Sequence, residues 1–99
     1  MTKAIHWIPA KGPHTTTETE TPPSLPVMQT YVEGNIEVVN VLFGDKAAQM
    51  IVNDEGAIHH MALNPKATSL YHANSLKKGE IPDWFIHGPA ILLEEIRLD

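Results

Sequence analysis

Six histidines among 99 residues raise metal binding first, because neutral imidazole is a common ligand for borderline divalent ions. The adjacent pair His59 and His60 would point to opposite faces of a strand, so a single ion reaches both only through a bulge. His6, His14, His72 and His87 are scattered along the chain, and none stands at the helical or hairpin spacings of a zinc motif. No metal site is assigned on spacing. Glu37 is the more informative carboxylate. In strict alternation it shares a strand face with Val39, Val41 and Phe43, where an unpaired charge is costly. Desolvation there would favour its neutral form and fit it for general acid or base work with a histidine. A position at an exposed strand end, or a pairing with Lys46 or Arg97, would instead make it structural. Glu33 lies across the Gly34 break and need not share that face.

Asn53-Asp54-Glu55-Gly56 carries oxygen ligands and a glycine. It lacks the extended acidic spacing of a calcium loop and reads as a hairpin turn, with Gly56 supplying a positive φ. The phosphate-cradling, dinucleotide-binding, nucleophile-elbow and zinc-protease motifs do not occur, so the usual nucleotide and hydrolase classes lose their main support. Trp7, Tyr71, Trp84 and Phe85 remain. Large rings serve a core or a partner. In Ile81–Ile86, read as extended, Trp84 and Phe85 fall on opposite faces, which leaves one ring for an interaction surface unless a helix or second subunit covers it.

The elements that must carry these residues fit one small domain spanning 1–99, with a hairpin over 4–20 and a short tail over 95–99. Hydrophobic residues make up 42% and charged residues 19% of the chain, enough apolar surface to fold. Seven basic against twelve acidic side chains give a net charge of -5, which argues against a general nucleic-acid binder. With no cysteine, disulfides and thiolate chemistry are excluded. The N-terminus carries no signal-peptide core, and no apolar run approaches the roughly 20 residues of a membrane helix. A soluble, cytoplasmic protein is the expectation.

Ala4–Ile8 reads as a strand. His14–Glu20 reads equally as a solvated linker or as an edge strand whose polar side chains discourage further pairing. Ser24 is placed to cap a short helix with Pro26 in its first turn, carrying Leu25, Met28, Tyr31 and Val32 on one stripe and stopping at Gly34. Asn35–Phe43 is apolar on both alternating faces and is expected at the sheet centre. Gly44-Asp45-Lys46 turns it into Ala47–Val52, and Ala57–Leu63 is expected to return as a further strand. Asn64-Pro65 starts a second helix through Ala67, Leu70 and Tyr71, ending at Lys77-Lys78-Gly79. Ile81–Ile86 and Ala90–Leu93 complete the sheet, broken at Gly88-Pro89.

Tyr31-Val32-Glu33-Gly34-Asn35-Ile36-Glu37-Val38-Val39, Val52-Asn53-Asp54-Glu55-Gly56, Leu63-Asn64-Pro65-Lys66-Ala67-Thr68 and Gly88-Pro89-Ala90-Ile91-Leu92-Leu93 together resemble a family of small phage and bacterial proteins known as a domain of unknown function. The resemblance spans about residues 4 to 94. The chain departs from the family pattern at Glu33, where the first of two glycines stands, at Pro65, and at His87-Gly88-Pro89. The resemblance implies an N-terminal hairpin, hence a strand over His14–Glu20, and a viral or mobile-element origin. It implies no activity.

The resulting expectation is an α+β fold, an antiparallel sheet of five or six strands with two short helices packed on one face. The expected function is a small non-enzymatic phage-type accessory protein that binds and modulates a host or phage macromolecule or a small ligand, in the cytoplasm of the host bacterium. The alternatives are an acidic decoy mimicking nucleic acid and a small enzyme using Glu37 with a histidine. Candidate ligand- or partner-binding residues are Tyr31, Glu37, Asn64, Trp84 and Phe85. No catalytic residue, metal or cofactor is assigned, and no direct nucleic-acid or membrane contact is expected. A homodimer through an exposed strand edge stays open.

Overall fold

The computed structural model describes residues 3–56, 58–80 and 84–96. Seven elements follow in order: β1 (Ala4–Ile8), β2 (Thr15–Glu18), α1 (Leu25–Val32), β3 (Ile36–Phe43), β4 (Lys46–Asn53), α2 (Pro65–Lys77) and β5 (Ala90–Glu94). The strands form one sheet in the order β2-β1-β5-β4-β3, antiparallel throughout. This is an α+β fold with a five-stranded antiparallel sheet.

Alternation sorts the sheet into two faces. Ile8, Val39, Val41, Ala48, Met50, Val52, Ala90 and Leu92 form one buried cluster with Ala67 of α2 and Ile86. Ile5, Ile51, Ile91 and Leu93 form the other with Met28 and Val32 of α1 and Ile96. The helices therefore cover opposite faces, which corrects the expectation of two helices on one face. The reason is visible in β5, whose Ala90, Ile91, Leu92 and Leu93 are all buried. A strand that is apolar on both sides needs cover on both sides.

β5 also takes the central position expected of the Asn35–Phe43 strand. β3 lies at an edge, with Val38 and Asn40 exposed. α2 packs against β3, and the Asn74 amide donates to the Asn40 carbonyl at 3.0 Å. β3 turns into β4 at Gly44, which has φ 65°, a conformation that costs glycine little. At the other edge, β2 buries nothing, since Thr15–Glu18 are all exposed. Its ladder to β1 is reinforced on both faces, by a 3.1 Å contact between Thr16 Oγ1 and His6 Nδ1 and by the Trp7 indole N–H donating to Thr17 Oγ1 at 3.0 Å. The linker reading of His14–Glu20 gives way to an edge strand.

Three further local expectations are corrected. The Ala57–Leu63 strand does not form among the described residues: 54–56 and 58–60 are turn, and only Leu63 makes an isolated bridge, to His87. β4 already has β3 and β5 as neighbours, so no edge remains for a returning strand after Asn53. Gly56 does not adopt a positive φ. It is needed for space, because a Cβ there would stand 2.5 Å from the His87 carbonyl oxygen. Trp84–Ile86 is irregular chain rather than strand, and 81–83 lie outside the described residues.

The helix limits hold with adjustments. α1 ends at Val32, with Glu33 rather than Gly34 in the left-handed conformation, φ 67°. Ser24 stands at its N-cap without a side-chain capping bond, whereas Asn64 caps α2 by accepting from the Ala67 N–H. No described helix is long and apolar enough to cross a membrane.

Candidate functional site

The five candidate residues do not form one site. Tyr31 lies on the α1 side, edge-on to Trp7 with ring centroids 5.1 Å apart, and burial pushes its phenol up from the ordinary value. With Trp7, Pro26, Val27 and Thr30 it lines a shallow apolar hollow. Asn64 is completely buried. Its amide donates to the carbonyls of Ile8 and Gly88, both at 2.9 Å, and its Oδ1 accepts from Ala67 N–H at 3.1 Å. Those bonds tie the ends of β1 and the 84–89 segment to the start of α2, and full burial denies a ligand access. The binding role expected of Asn64 is corrected to a structural one.

Glu37 is half-buried on the α2 side of β3 and lines a groove with Tyr71, Asn74, Lys78, Glu80 and Trp84. The described lining of that groove includes no histidine. Of its expected partners, Lys46 instead donates to Glu95 at 3.0 Å, and Arg97 lies outside the described residues. The Glu95 carboxylate raises the Lys46 pKa, chiefly through that hydrogen bond.

Trp84 and Phe85 do come together. Between them and Ile86, the chain is pinned from beneath. Ile86 is buried, its N–H donates to Thr68 Oγ1 at 3.0 Å, and its carbonyl accepts from Asn64 N–H at 2.8 Å. His72 Nε2–H donates to the Trp84 carbonyl at 2.6 Å. Trp84 meets Tyr71 edge-on at 5.3 Å, and Phe85 meets His72 at 5.2 Å. With both backbone and rings held, Trp84 and Phe85 are turned outward. Facing them is the turn after β4, brought close by the bare Gly56 backbone against His87. The cleft between holds about 130 Å³ and is lined by Asp54, Glu55, Ile58, Trp84, Phe85 and His87 among others.

Three large apolar side chains around this cleft are open to solvent: Ile58 at 71%, Phe85 at 50% and Trp84 at 38%. Asp54 and Glu55 stand exposed at its rim, with His59 within 3.4 Å of Glu55. Aromatic and aliphatic anchors beside negative charge can seat an apolar group and attract a positive one.

A second constellation escaped the sequence reading. His6, nearly buried on β1, has Nε2 at 2.8 Å from Glu94 Oε1, and its Nδ1 stands 3.0 Å from His14 Nε2 and 3.1 Å from Thr16 Oγ1. The sheet coils enough for Phe43, on the far edge, to reach His6 with ring centroids 4.8 Å apart. Desolvation, followed by the fields of Lys66 and His6, holds the His14 imidazole below its ordinary value. A carboxylate that meets a buried histidine is thus Glu94, and Glu37 is not among the described carboxylates paired with one. Alternation places a histidine among the buried residues of β1, the one available signal. Its partner lies 88 residues away and needs the tertiary fold.

Among the described residues, no group of three or more His, Cys, Asp or Glu side chains is arranged to hold a metal ion. No curated protein and no solved structure matches the chain. A family match does extend over residues 1–97, nearly the whole sequence. The chain belongs to the family described as Domain of unknown function (DUF3846).

Proposed function

We infer that this is a non-enzymatic binding protein that modulates a partner protein by seating a basic segment with an apolar anchor in the cleft between Ile58, Trp84 and Phe85. The observation that carries this reading is the convergence of those three exposed side chains on one cleft with Asp54 and Glu55 at its rim. Tryptophan-centred apolar clusters ringed by charge are where binding energy concentrates. Carboxylates on a chain of net charge -5 favour a cationic partner and speed its encounter. The resemblance of Tyr31–Val39 and the other motifs to small phage and bacterial proteins supports a phage-type accessory role in a bacterial cytoplasm.

The test is selection from a displayed library of random peptides on the immobilised protein, followed by affinity measurement for the enriched sequences. Enriched peptides are expected to place Lys or Arg beside Leu, Ile, Phe or Trp. Affinity should fall by about tenfold or more in Trp84→Ala or Phe85→Ala, equivalent to about 1.4 kcal/mol or more. Enrichment of acidic peptides, or undiminished binding by both variants, would overturn the reading.

A further inference from the structure

We propose that the basic segment seated in the cleft continues as a strand added to the open edge of β3 at Ile36 and Val38, with Lys or Arg facing Glu37 and apolar residues beside Val38. This rests on the cleft reading and adds the partner's conformation and sequence pattern. The Asp54 N–H donates to the Asn35 carbonyl at 3.1 Å, which fixes the phase of the ladder between β3 and β4. Bonded pairs alternate in an antiparallel ladder. Glu37, Val39 and Val41 therefore bond to β4, whereas Ile36, Val38 and Asn40 turn their N–H and C=O groups outward. α2 meets that edge at Asn40, whose carbonyl accepts the Asn74 amide at 3.0 Å. Among the described residues, nothing bonds the outward groups of Ile36 and Val38.

The two edges of the sheet differ. β2 has four residues, all Thr or Glu, a short polar edge that resists further pairing. β3 has eight and is mostly apolar, with Val38 exposed. An open apolar edge is what an extended peptide completes, its main chain supplying the hydrogen bonds. Charge selects the occupant. The groove beside this edge is lined by Glu37, Tyr71, Lys78, Glu80 and Trp84 among others, and Trp84 also lines the cleft, so the two hollows meet at one ring. Lys78 is the single cation in the described lining, against Glu37 and Glu80 here and Asp54 and Glu55 in the cleft. Side chains of an added strand point alternately to the two faces. Those on the groove side meet carboxylates and aromatic rings, which suit Lys or Arg, and the others lie beside Val38. A second copy fits worse, because each brings a net charge of -5 and α2 leaves only the start of β3 open.

The experiment is amide hydrogen exchange of the full chain, read by NMR, with and without a capped synthetic peptide of alternating lysine and valine that ends in leucine. In the free protein, Val38 should exchange quickly and Val39 slowly. Saturating peptide should slow Val38 by about tenfold or more. Val38→Pro is tolerated at an edge because the lost N–H faces outward, and it should weaken binding by about tenfold, with circular dichroism confirming the fold. Methylating alternate backbone nitrogens of the peptide should do the same without altering the protein. Peptide binding that Trp84→Ala weakens, with no protection gained at Val38, would overturn the added strand and leave the cleft reading standing. Undiminished affinity in Trp84→Ala would instead remove the cleft from the complex. No binding by the wild type, or Val38 protection in the free protein that fades on dilution, would overturn the proposal, the latter in favour of a second copy.

Discussion

Replacing Asn64 with aspartate separates two jobs that this side chain performs at once. Aspartate keeps the oxygen that accepts the Ala67 N–H and caps helices as well as asparagine does. It loses the amide that donates to the Ile8 and Gly88 carbonyls, each at 2.9 Å. In a site with no solvent exposure, each lost partner costs about 1–3 kcal/mol, and a carboxylate oxygen now faces two carbonyl oxygens. We expect Asn64→Asp to lose about 3 kcal/mol, out of the roughly 5–15 kcal/mol available to a small domain. That corresponds to a fall in Tm of roughly 12–24 °C. Urea unfolding, followed by circular dichroism and tryptophan fluorescence, should show a lower midpoint at unchanged slope. Protonating the new carboxyl restores one donor, so the deficit should shrink in acid. A variant within about 1 kcal/mol of wild type would show that Asn64 acts only as a cap, refuting the three-way tie.

Gly56→Ala should cost about 1–3 kcal/mol in urea unfolding, because its Cβ would meet the His87 carbonyl oxygen at 2.5 Å and backbone cannot rotate aside; wild-type stability would contradict the close approach. Leu92→Ala removes a fully buried side chain from the central strand and should cost about 2–5 kcal/mol, whereas Leu76→Ala, at 64% exposure, should stay within about 0.5 kcal/mol. Similar losses for the two would refute the layer assignment. His14 sets a pH dependence: its folded pKa lies below its ordinary value of 6.5, so the unfolded chain binds the proton first. Stability should therefore fall as pH drops from 6.5 through the folded value and level off below it. His14→Gln should flatten that part of the profile measured by urea midpoints, and an unchanged slope would sink the attribution.

Much of the local structure was legible in the sequence because short-range physics governs it. β-branched and apolar alternation marked β1, β3 and β4, Gly44 marked their hairpin, and Asn64-Pro65 marked the start of α2. The sequence marked Trp84 and Phe85 as a surface candidate with one ring left exposed by an extended segment, whereas both are exposed and 84–86 is irregular. The Ala57–Leu63 segment misled for a physical reason. Its composition suits a strand, but pairing needs a free neighbour, and β5 holds the edge that a return from β4 would use.

Composition and periodicity by themselves determined that this chain folds as an antiparallel α+β domain, where most of its strands and helices lie, and that its net charge is negative. Only the tertiary structure decided that the last strand enters the sheet centre, that the helices take opposite faces, and that Asn64 is a buried tie. It also decided which side chains meet, bringing Glu94 to His6 and Ile58 to Trp84 and Phe85. Periodicity records only which side of its own element a residue occupies. Strand order and sheet coiling set the neighbour across the sheet, and those depend on the burial of the whole chain at once.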